Sequence, residues 1–280
     1  MTKQLLEDFI KNALKEDIGD GDHSSLACIP ASAQGKAKLI AKEEGILAGV
    51  EVGEAIFKYV DSEFSIKRLI NDGTYIKPGD VILEISGSSQ TLLKCERLVL
   101  NVMQRMSGIA TRTNEYVKVL EGLNTRILDT RKTTPGMRFL EKEAVKIGGG
   151  TNHRMGLYDM IMLKDNHIDF AGGIEKAVNA VHNYLETKGK KLKVEVEVRD
   201  MEELNEVIRV GKVDRVMLDN FSVEMTKEAV KLIDGKFEIE SSGGITMDTF
   251  RAYAETGVDF ISVGALTHHI KSLDLSLVAQ

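Results

Sequence analysis

The sequence predicts an α/β protein whose larger part is an incomplete α/β barrel. From residue 125 onward, short apolar runs alternate with longer segments of helical periodicity. Alternating strands and helices indicate a parallel sheet. About six repeats fit an incomplete barrel better than a closed eightfold one, and a doubly wound open sheet is the competing architecture. The predicted strands are 126–129, 160–163, 193–198, 215–218, 237–241 and 259–263, with helices at 137–147, 173–188, 201–210, 223–233 and 246–256.

The first part of the chain has a different pattern. Residues 3–17 carry apolar side chains at helical spacing, and the acidic, glycine-containing stretch 17–25 is predicted to be a loop. Residues 35–90 consist of short alternating runs separated by Gly, Asn and Pro, which predicts a β-rich segment. Residues 92–121 are predicted to form one long helix that leads out of this smaller domain.

Composition narrows the class of protein. The 280 residues are 42% hydrophobic and 29% charged, with a formal net charge of −6. Such a balance offers no general basic field for nucleic acid, so no nucleic-acid partner is expected. No apolar stretch approaches the length of a membrane span, and residues 1–22 contain no uninterrupted apolar run of the signal-peptide type. Only two cysteines occur, Cys28 and Cys95; we expect both to be reduced and buried, and the protein to be cytoplasmic.

Chemically capable side chains follow nearly every predicted barrel strand. The carboxyl ends of parallel strands meet at one edge of a sheet, where α/β enzymes have their active sites. We therefore expect these side chains to gather at one rim. They are Asp129, Thr130, Arg131 and Lys132; Lys164 to His167; Glu195 and Glu197; Asp219 and Asn220; Ser241 to Gly244; and Gly264 and Ala265.

Some of these residues allow a simpler interpretation. Arg131 and Lys132 alone are compatible with a solvated loop. Glu195 and Glu197 are two residues apart and share one face of their strand. On an edge strand that face would be wet, whereas in a central strand the carboxylates would lie inside the barrel and need partners or a ligand.

Two glycine-containing turns after the last strands indicate a phosphate site. SSGGIT at 241–246 is followed about twenty residues later by SVGAL at 262–266. Exposed backbone N–H groups in such turns, together with a following helix, bind phosphate in many barrels. With the cations and the acids, the pattern favours a polyanionic substrate, a sugar phosphate, and carboxylates that act on ribose hydroxyls, a divalent metal or a developing oxocarbenium ion.

The motifs as a set resemble those of quinolinate phosphoribosyltransferases. The similarity covers nearly the whole chain in order, including LKEDIGDGDHSS near the start. It is carried by NVMQRMSGIATRT (101–113), LDTRKTTPGMRFLEKEAVKIGGGTNHRMGLYDMIMLKDNHI (128–168), VEVEV (194–198), VMLDN (216–220), ESSGGIT (240–246) and GVDFISVGALTH (257–268).

The resemblance implies two domains and a function. An N-terminal α/β open sandwich would span 1–110 with the linking helix, the barrel 111–270, and a tail, 271–280, would pack back on the first domain. The implied reaction joins quinolinate to the phosphoribosyl group of phosphoribosyl pyrophosphate and gives nicotinate mononucleotide, pyrophosphate and carbon dioxide. It also implies Mg²⁺, no organic cofactor, and a homodimer or dimer-based oligomer in which each site lies between one barrel and the neighbour's N-terminal domain.

The resemblance also assigns residues. Quinolinate would be bound by Arg105, Arg131, His153, Arg154 and Lys164. Lys132 would lie near the pyrophosphate beside Thr130, and Glu197 and Asp219 would meet the ribose and the Mg²⁺, largely through the substrate. The catalytic set is therefore Lys132, Lys164, Glu197 and Asp219, and the phosphate loops are Ser242, Gly243 and Gly244 with Val263, Gly264 and Ala265.

Two alternatives stay open at the level of sequence. One is a paralogous pyrophosphorylase of the same fold linked to molybdate transport, which activity with quinolinate would separate. The other is a non-catalytic module that binds sugar phosphates. Loss of the acids or of the basic cluster would favour such a module, and the sequence contains both.

Overall fold

The computed structural model describes residues 3–280 as two compact units with eleven helices and twelve strands. In chain order the elements are α1 Lys3–Ile18, α2 His23–Cys28, β1 Gln34–Ala41, β2 Gly45–Ile46, α3 Val50–Val60, β3 Ser65–Arg68, β4 Tyr75–Ile76, β5 Val81–Ser88, α4 Ser89–Val119, β6 Arg126–Leu128, α5 Arg138–Ile147, β7 Ile161–Leu163, α6 Asp165–Ala171, α7 Ile174–Lys188, β8 Val194–Val198, α8 Met201–Val210, β9 Arg215–Asp219, α9 Val223–Ile233, β10 Glu238–Ser242, α10 Met247–Ala254, β11 Phe260–Ser262, α11 Ala265–His268 and β12 Leu275–Ala279.

The first unit comprises residues 1–114, 133–149 and 266–280, of which 3 onward are described. Its main sheet has the order β12-β1-β5-β3, and all three pairings are antiparallel. The C-terminal strand β12 is thus hydrogen-bonded to β1, with Leu39 opposite Leu277. Gly53 in α3 lies so close to α4 that an added Cβ would be 2.9 Å from the Met103 sulfur. A larger residue there would displace the Met103 side chain.

The second unit comprises residues 115–132 and 150–265 and contains a six-stranded parallel sheet. Its strand order is β6-β11-β10-β9-β8-β7. Strands β7 to β11 follow one another across the sheet in chain order, and β6 lies beside β11. The sheet therefore lacks the reversal of strand order that defines a doubly wound fold. Among the described residues no ladder joins β6 to β7, so the barrel is incomplete, as the sequence predicted.

Thr151 partly fills the gap beside β6. It forms an isolated parallel bridge with Leu128: its N–H donates to the Ile127 carbonyl at 2.9 Å, and its own carbonyl accepts from Asp129 N–H at 3.2 Å. The buried Asp129 carboxylate then accepts the His153 N–H at 2.8 Å. These bonds hold the segment that carries His153 and Arg154 against the carboxyl end of β6.

The predicted strands all form, and several helices were missed. The loop prediction for 17–25 is wrong at its end, because Asp22 accepts the Ser25 N–H and caps α2. Residues 50–60, predicted as part of a β-rich segment, form α3. The short α6 lies in a segment assigned no secondary structure. Cys95 is buried as expected, but Cys28 is exposed, so that half of the expectation is wrong.

No helix among residues 3–280 combines the length and the apolarity needed to cross a bilayer.

Candidate active site

Parallel strands bring most of the predicted site residues of the second unit to one edge. Because all five pairings in the sheet are parallel, the strands end on the same side. The residues at or directly after these ends are Thr130, Arg131 and Lys132 (β6), Lys164 (β7), Glu197 (β8), Asp219 (β9), Ser242, Gly243 and Gly244 (β10), and Val263, Gly264 and Ala265 (β11).

A short ion pair connects two of these strand ends. Lys164 Nζ lies 2.6 Å from Glu197 Oε2. The lysine side chain is 44% exposed and the glutamate only 10%, so the pair lies at the boundary between the sheet interior and solvent. Strand β8 is central in the sheet, which decides the interpretation of Glu197: its carboxylate faces the barrel interior rather than a wet edge.

Arg131 and Arg154 form a basic pair whose positive charges repel each other. Burial and repulsion from Arg131 lower the pKa of the Arg154 guanidinium. Arg154 Nη1 donates to the Met160 carbonyl at 3.2 Å, and Nη2 contacts the Met162 sulfur at 3.6 Å. A partly buried guanidinium that faces another cation is a place where an anion binds favourably.

Both ring nitrogens of the buried His153 have polar neighbours, two carboxylates near Nε2 and a backbone N–H at Nδ1. Nε2 lies 3.0 Å from Glu195 Oε2 and 3.3 Å from Glu240 Oε2. Nδ1 accepts the Arg154 backbone N–H at 2.6 Å. Burial lowers the pKa of His153, but the two carboxylates outweigh it and raise the pKa to about 9, which favours a proton on Nε2. A second ring proton, at Nδ1, is opposed by the Arg154 N–H that lies 2.6 Å from that nitrogen, and we give this contact the greater weight. We therefore describe the ring as the Nε2–H tautomer.

Charged residues continue below His153 into the interior of the sheet. Arg215 Nη1 lies 3.1 Å from Glu240 Oε2, and Arg215 Nη2 lies 3.1 Å from Glu238 Oε2. The Arg215 guanidinium also stacks over the Phe260 ring at 4.1 Å from its centre. No role for Arg215 or Glu240 was predicted from the sequence. The alternating acids in FEIES, on a strand predicted to be buried, could have indicated buried carboxylates that need partners.

The loop after β10 depends on glycine. Gly243 has φ +91°, and a Cβ there would lie 2.3 Å from Asn220 Oδ1. Asn220 itself has φ +58° and donates from its backbone N–H to the Ser242 carbonyl at 2.9 Å. Its side-chain amide donates to Asp219 Oδ2 at 2.8 Å. The turn and the acid are thus tied together by one asparagine, which tolerates the left-handed region.

Arg105 lies on α4 in the first unit, where three groups hold it. Its Nε donates to Glu141 Oε1 at 2.7 Å, and Nη2 donates to Thr134 Oγ1 at 2.8 Å and to the Thr267 carbonyl at 2.9 Å. Glu141 is fully buried and also accepts the Thr134 N–H at 3.2 Å. Glu141 was missed because it is 36 residues away from Arg105 in the chain.

Fold and site together define an α/β enzyme that binds anionic substrates at the carboxyl ends of a parallel barrel sheet. Two family models match: quinolinate phosphoribosyl transferase, N-terminal domain, over residues 22–107, and quinolinate phosphoribosyl transferase, C-terminal domain, over residues 109–278. The chain belongs to the quinolinate phosphoribosyltransferase family.

Full-length relatives agree with this membership. The chain is 45% identical to the chloroplastic nicotinate-nucleotide pyrophosphorylase [carboxylating] of Arabidopsis thaliana, over 97% of this chain and 82% of that protein. It is 42% identical to the probable nicotinate-nucleotide pyrophosphorylase [carboxylating] of Bacillus subtilis, over 99% and 94%. The crystal structure of NadC from Streptococcus pyogenes superposes with a TM-score of 0.93 at 42% identity, covering 100% of this chain and 99% of that one.

Proposed function

We propose that this chain transfers the phosphoribosyl group of phosphoribosyl pyrophosphate to quinolinate, with release of pyrophosphate and carbon dioxide, and so makes nicotinate mononucleotide for NAD biosynthesis. The observation that carries the proposal is the basic pair Arg131 and Arg154, beside the Lys164–Glu197 ion pair, at the carboxyl ends of the strands. Two repelling guanidinium groups in a partly buried position are stabilised when a dicarboxylate binds between them.

The cations would orient quinolinate. Arg131, Arg154 and Lys164 bind its two carboxylates, and Arg105 from a second subunit completes the cluster. His153 lies on the interior side of this cluster, where Glu195 and Glu240 hold its ring, and supports the quinolinate site from there. Guanidinium groups suit this task because their planar donors match a carboxylate in pairs. Orientation of the ring nitrogen toward the sugar is the main catalytic gain at this step.

Phosphoribosyl pyrophosphate would occupy the other half of the same edge. Its 5′-phosphate binds at the turns Ser242, Gly243, Gly244 and Val263, Gly264, Ala265. A Cβ at Gly244 would meet nothing within 4 Å, which leaves room for an anion there, whereas the Val263 N–H already donates to the Leu128 carbonyl at 3.0 Å. Thr130 and Lys132 bind the pyrophosphate that leaves. Glu197 and Asp219, which lie on adjacent strands, bind the ribose hydroxyls. A carboxylate beside quinolinate would instead repel the two carboxylates of that substrate.

The same two acids fit a divalent cation. Glu197 and Asp219 supply hard carboxylate oxygens, the ligands that Mg²⁺ prefers. On neighbouring strands Glu197 pairs with Met217, and Asp219 is the next residue on that face toward the carboxyl end. Bound with the substrate, Mg²⁺ would supply positive charge to the departing pyrophosphate.

The chemistry then follows from charge. The quinolinate nitrogen attacks the anomeric carbon as its bond to pyrophosphate breaks, and Glu197 and Asp219 stabilise the developing oxocarbenium character. The product ring carries a positive charge at nitrogen, which stabilises the electron pair that remains on the neighbouring carbon when its carboxylate departs as carbon dioxide. That carbon then takes up a proton. Lys164 moves from its bond with Glu197 toward a quinolinate carboxylate during binding.

The test is carbon dioxide release from carboxyl-labelled quinolinate, with and without phosphoribosyl pyrophosphate. We expect release only when both are present, with one nicotinate mononucleotide formed per carbon dioxide. No release under any ratio of substrates and Mg²⁺, from folded protein, would contradict the proposal. Nicotinate as a matched acceptor without the second carboxylate should be a poor substrate.

Assembly and location belong to the same proposal. We infer a homodimer, or a larger oligomer built from dimers, because Arg105 would serve the site of a neighbour. A cytoplasmic location is supported by the two cysteines, which are both free thiols.

A further inference from the structure

Four ionisable side chains lie inside the sheet of the second unit, and the chemistry described above uses only one of them directly. Glu195 and Glu240 are fully buried, and Arg215 and His153 are 7% and 9% exposed. They come from β8, β9, β10 and the segment beside β6. Burying charged groups is unfavourable, and replacing such a set by apolar residues of similar volume is often neutral or stabilising. Such a cluster needs a reason beyond stability.

The contacts run in one direction, from the interior toward the candidate active site. Arg215 Nη1 bonds Glu240 Oε2 at 3.1 Å, and the same oxygen lies 3.3 Å from His153 Nε2. Glu195 Oε2 lies 3.0 Å from Nε2. A proton on that nitrogen lies between the two carboxylates and lowers the repulsion between them. The other nitrogen, Nδ1, is thereby left as an acceptor, and it accepts the Arg154 backbone N–H at 2.6 Å.

A metal ion is the alternative occupant of this cluster. His153, Glu195 and Glu240 could offer three ligand atoms within 4.8 Å of one another. However, Arg215 already bonds Glu240 and holds its positive charge beside that position. With a neutral ring, the two acids and the arginine leave one negative charge, and the Nε2 proton already occupies the space between the two carboxylates that a cation would fill. The geometry therefore favours a proton over a metal.

We propose that Glu195 and Glu240 are positioning residues for the quinolinate site: they hold His153 as its Nε2–H tautomer, so that Nδ1 fixes the backbone of Arg154 and the direction of its guanidinium. This inference rests on the proposed role of Arg154 in quinolinate binding. The backbone of the same segment is also fixed by Asp129, which accepts the His153 N–H at 2.8 Å. The tautomer of one histidine is thus coupled to the placement of the neighbouring arginine.

The first test uses the unmodified protein. The chain has six histidines, so an ¹⁵N-histidine spectrum that correlates ring nitrogens with ring protons contains few signals, and His153→Gln identifies the one that belongs to His153. We expect a protonated Nε2 and an unprotonated Nδ1. Two results of this spectrum would overturn the proposal: a proton on Nδ1, or a signal pattern that disappears when a tightly bound metal is removed. Neither result requires a substitution in the cluster.

The second test changes the acids. In the double variant Glu195→Gln/Glu240→Gln, side-chain amides can donate to Nε2 and drive the ring proton to Nδ1, against the Arg154 N–H. We expect the KM for quinolinate to rise by about tenfold or more and the KM for phosphoribosyl pyrophosphate to stay within about twofold. The single variant Glu240→Gln should also raise the KM for quinolinate and not the KM for phosphoribosyl pyrophosphate, by a smaller factor. It replaces the double variant in this test if the double variant does not fold.

Glu238→Gln is the matched control. Glu238 lies two residues before Glu240 on β10 and also pairs with Arg215, at 3.1 Å, whereas it is Glu240 that lies beside His153. We expect it to lower the melting temperature at most, with both KM values unchanged. Equal rises of both KM values in the double variant, or an unchanged quinolinate KM in a folded variant, overturn the positioning role. Absence of carbon dioxide release from the unmodified enzyme would instead refute the proposed function.

Discussion

At the scale of single residues, the ion pair between Lys164 and Glu197 joins a group that would bind quinolinate to one that would bind the ribose. Its atoms lie 2.6 Å apart, so the Lys164 ammonium compensates the Glu197 carboxylate. If Lys164 binds quinolinate as proposed, it would exchange one carboxylate partner for another, which limits the cost of desolvating the lysine.

We predict that Lys164→Ala loses about 2–4 kcal/mol of transition-state stabilisation, the size expected for one charged contact in a water-poor site. The fold should survive because the side chain is 44% exposed. Steady-state kinetics with both substrates, together with a circular dichroism melt, measure the two effects.

Lys193→Ala is a suitable control for this change. Lys193 precedes β8 at the opposite end of the sheet and pairs with Glu238 at 3.1 Å. Its loss should leave kcat/KM nearly unchanged. Equal activity of the Lys164 and Lys193 variants would show that Lys164 is not part of the active site.

The two cysteines should differ strongly in reactivity. Burial raises the pKa of the Cys95 thiol to about 12, whereas Cys28 is exposed. Since the thiolate is the reactive form, Cys95 stays protonated and inert at pH 8, and unfolding returns its pKa to about 8.5. We predict that a thiol-counting reagent labels one cysteine quickly in the native protein and two in denaturant. Fast labelling of both in the native state would contradict the burial of Cys95.

At the scale of elements, the loop after β10 is the part whose backbone is most tightly specified. Gly243 and Gly244 both have positive φ, +91° and +62°. They differ in what surrounds them: a Cβ at Gly243 would be 2.8 Å from the Asn220 backbone nitrogen, and a Cβ at Gly244 would meet nothing within 4 Å. The pair therefore separates the cost of backbone strain from the cost of a clash.

We predict that Gly243→Ala raises the KM for phosphoribosyl pyrophosphate and destabilises the protein more than Gly244→Ala does. The second change should cost about 1–2 kcal/mol, the penalty of a Cβ in the left-handed region. The first must also displace Asn220 and with it the bond to Asp219 at 2.8 Å. Chemical denaturation and the KM for each substrate test this; equal effects of the two changes would show that the contact with Asn220 is unimportant.

At the scale of the whole molecule, the question is which subunit uses Arg105. Glu141, Thr134 and the Thr267 carbonyl hold its guanidinium in the first unit, with 25% of the side chain exposed. An arginine held this firmly has little rotational freedom left to lose on binding. A two-fold dimer would present two such groups, one to each neighbouring site.

We predict that Arg105→Ala and Lys164→Ala proteins are each nearly inactive, and that unfolding and refolding them together restores activity. In a mixed dimer the barrel with an intact Lys164 receives Arg105 from its partner, so one of its two sites is whole. Random pairing would then give about a quarter of the normal activity. If Arg105 acted within its own chain, every site would lack one residue and mixing would restore nothing.

Much of the fold could be predicted because barrel strands and surface helices have different periods. Strands β7 and β9 contain short apolar runs, β8 alternates Val and Glu that are all buried, and the helices between the strands have apolar residues at helical spacing. Helices α2 and α6 were missed because six or seven residues are too few to show that period. Helix α3 was missed since Val50, Val52 and Ile56 also suit a strand.

The sequence by itself determined the order of strands and helices and the set of polar residues that follow each strand. Tertiary structure alone decided the pairings: Glu197 with Lys164, His153 with Glu195 and Glu240, and Arg105 with Glu141. The physical reason is that periodicity reports which face a residue occupies within its own element. An ion pair depends instead on the distance between side chains 33 or 36 residues apart in the chain, which only packing of the elements sets.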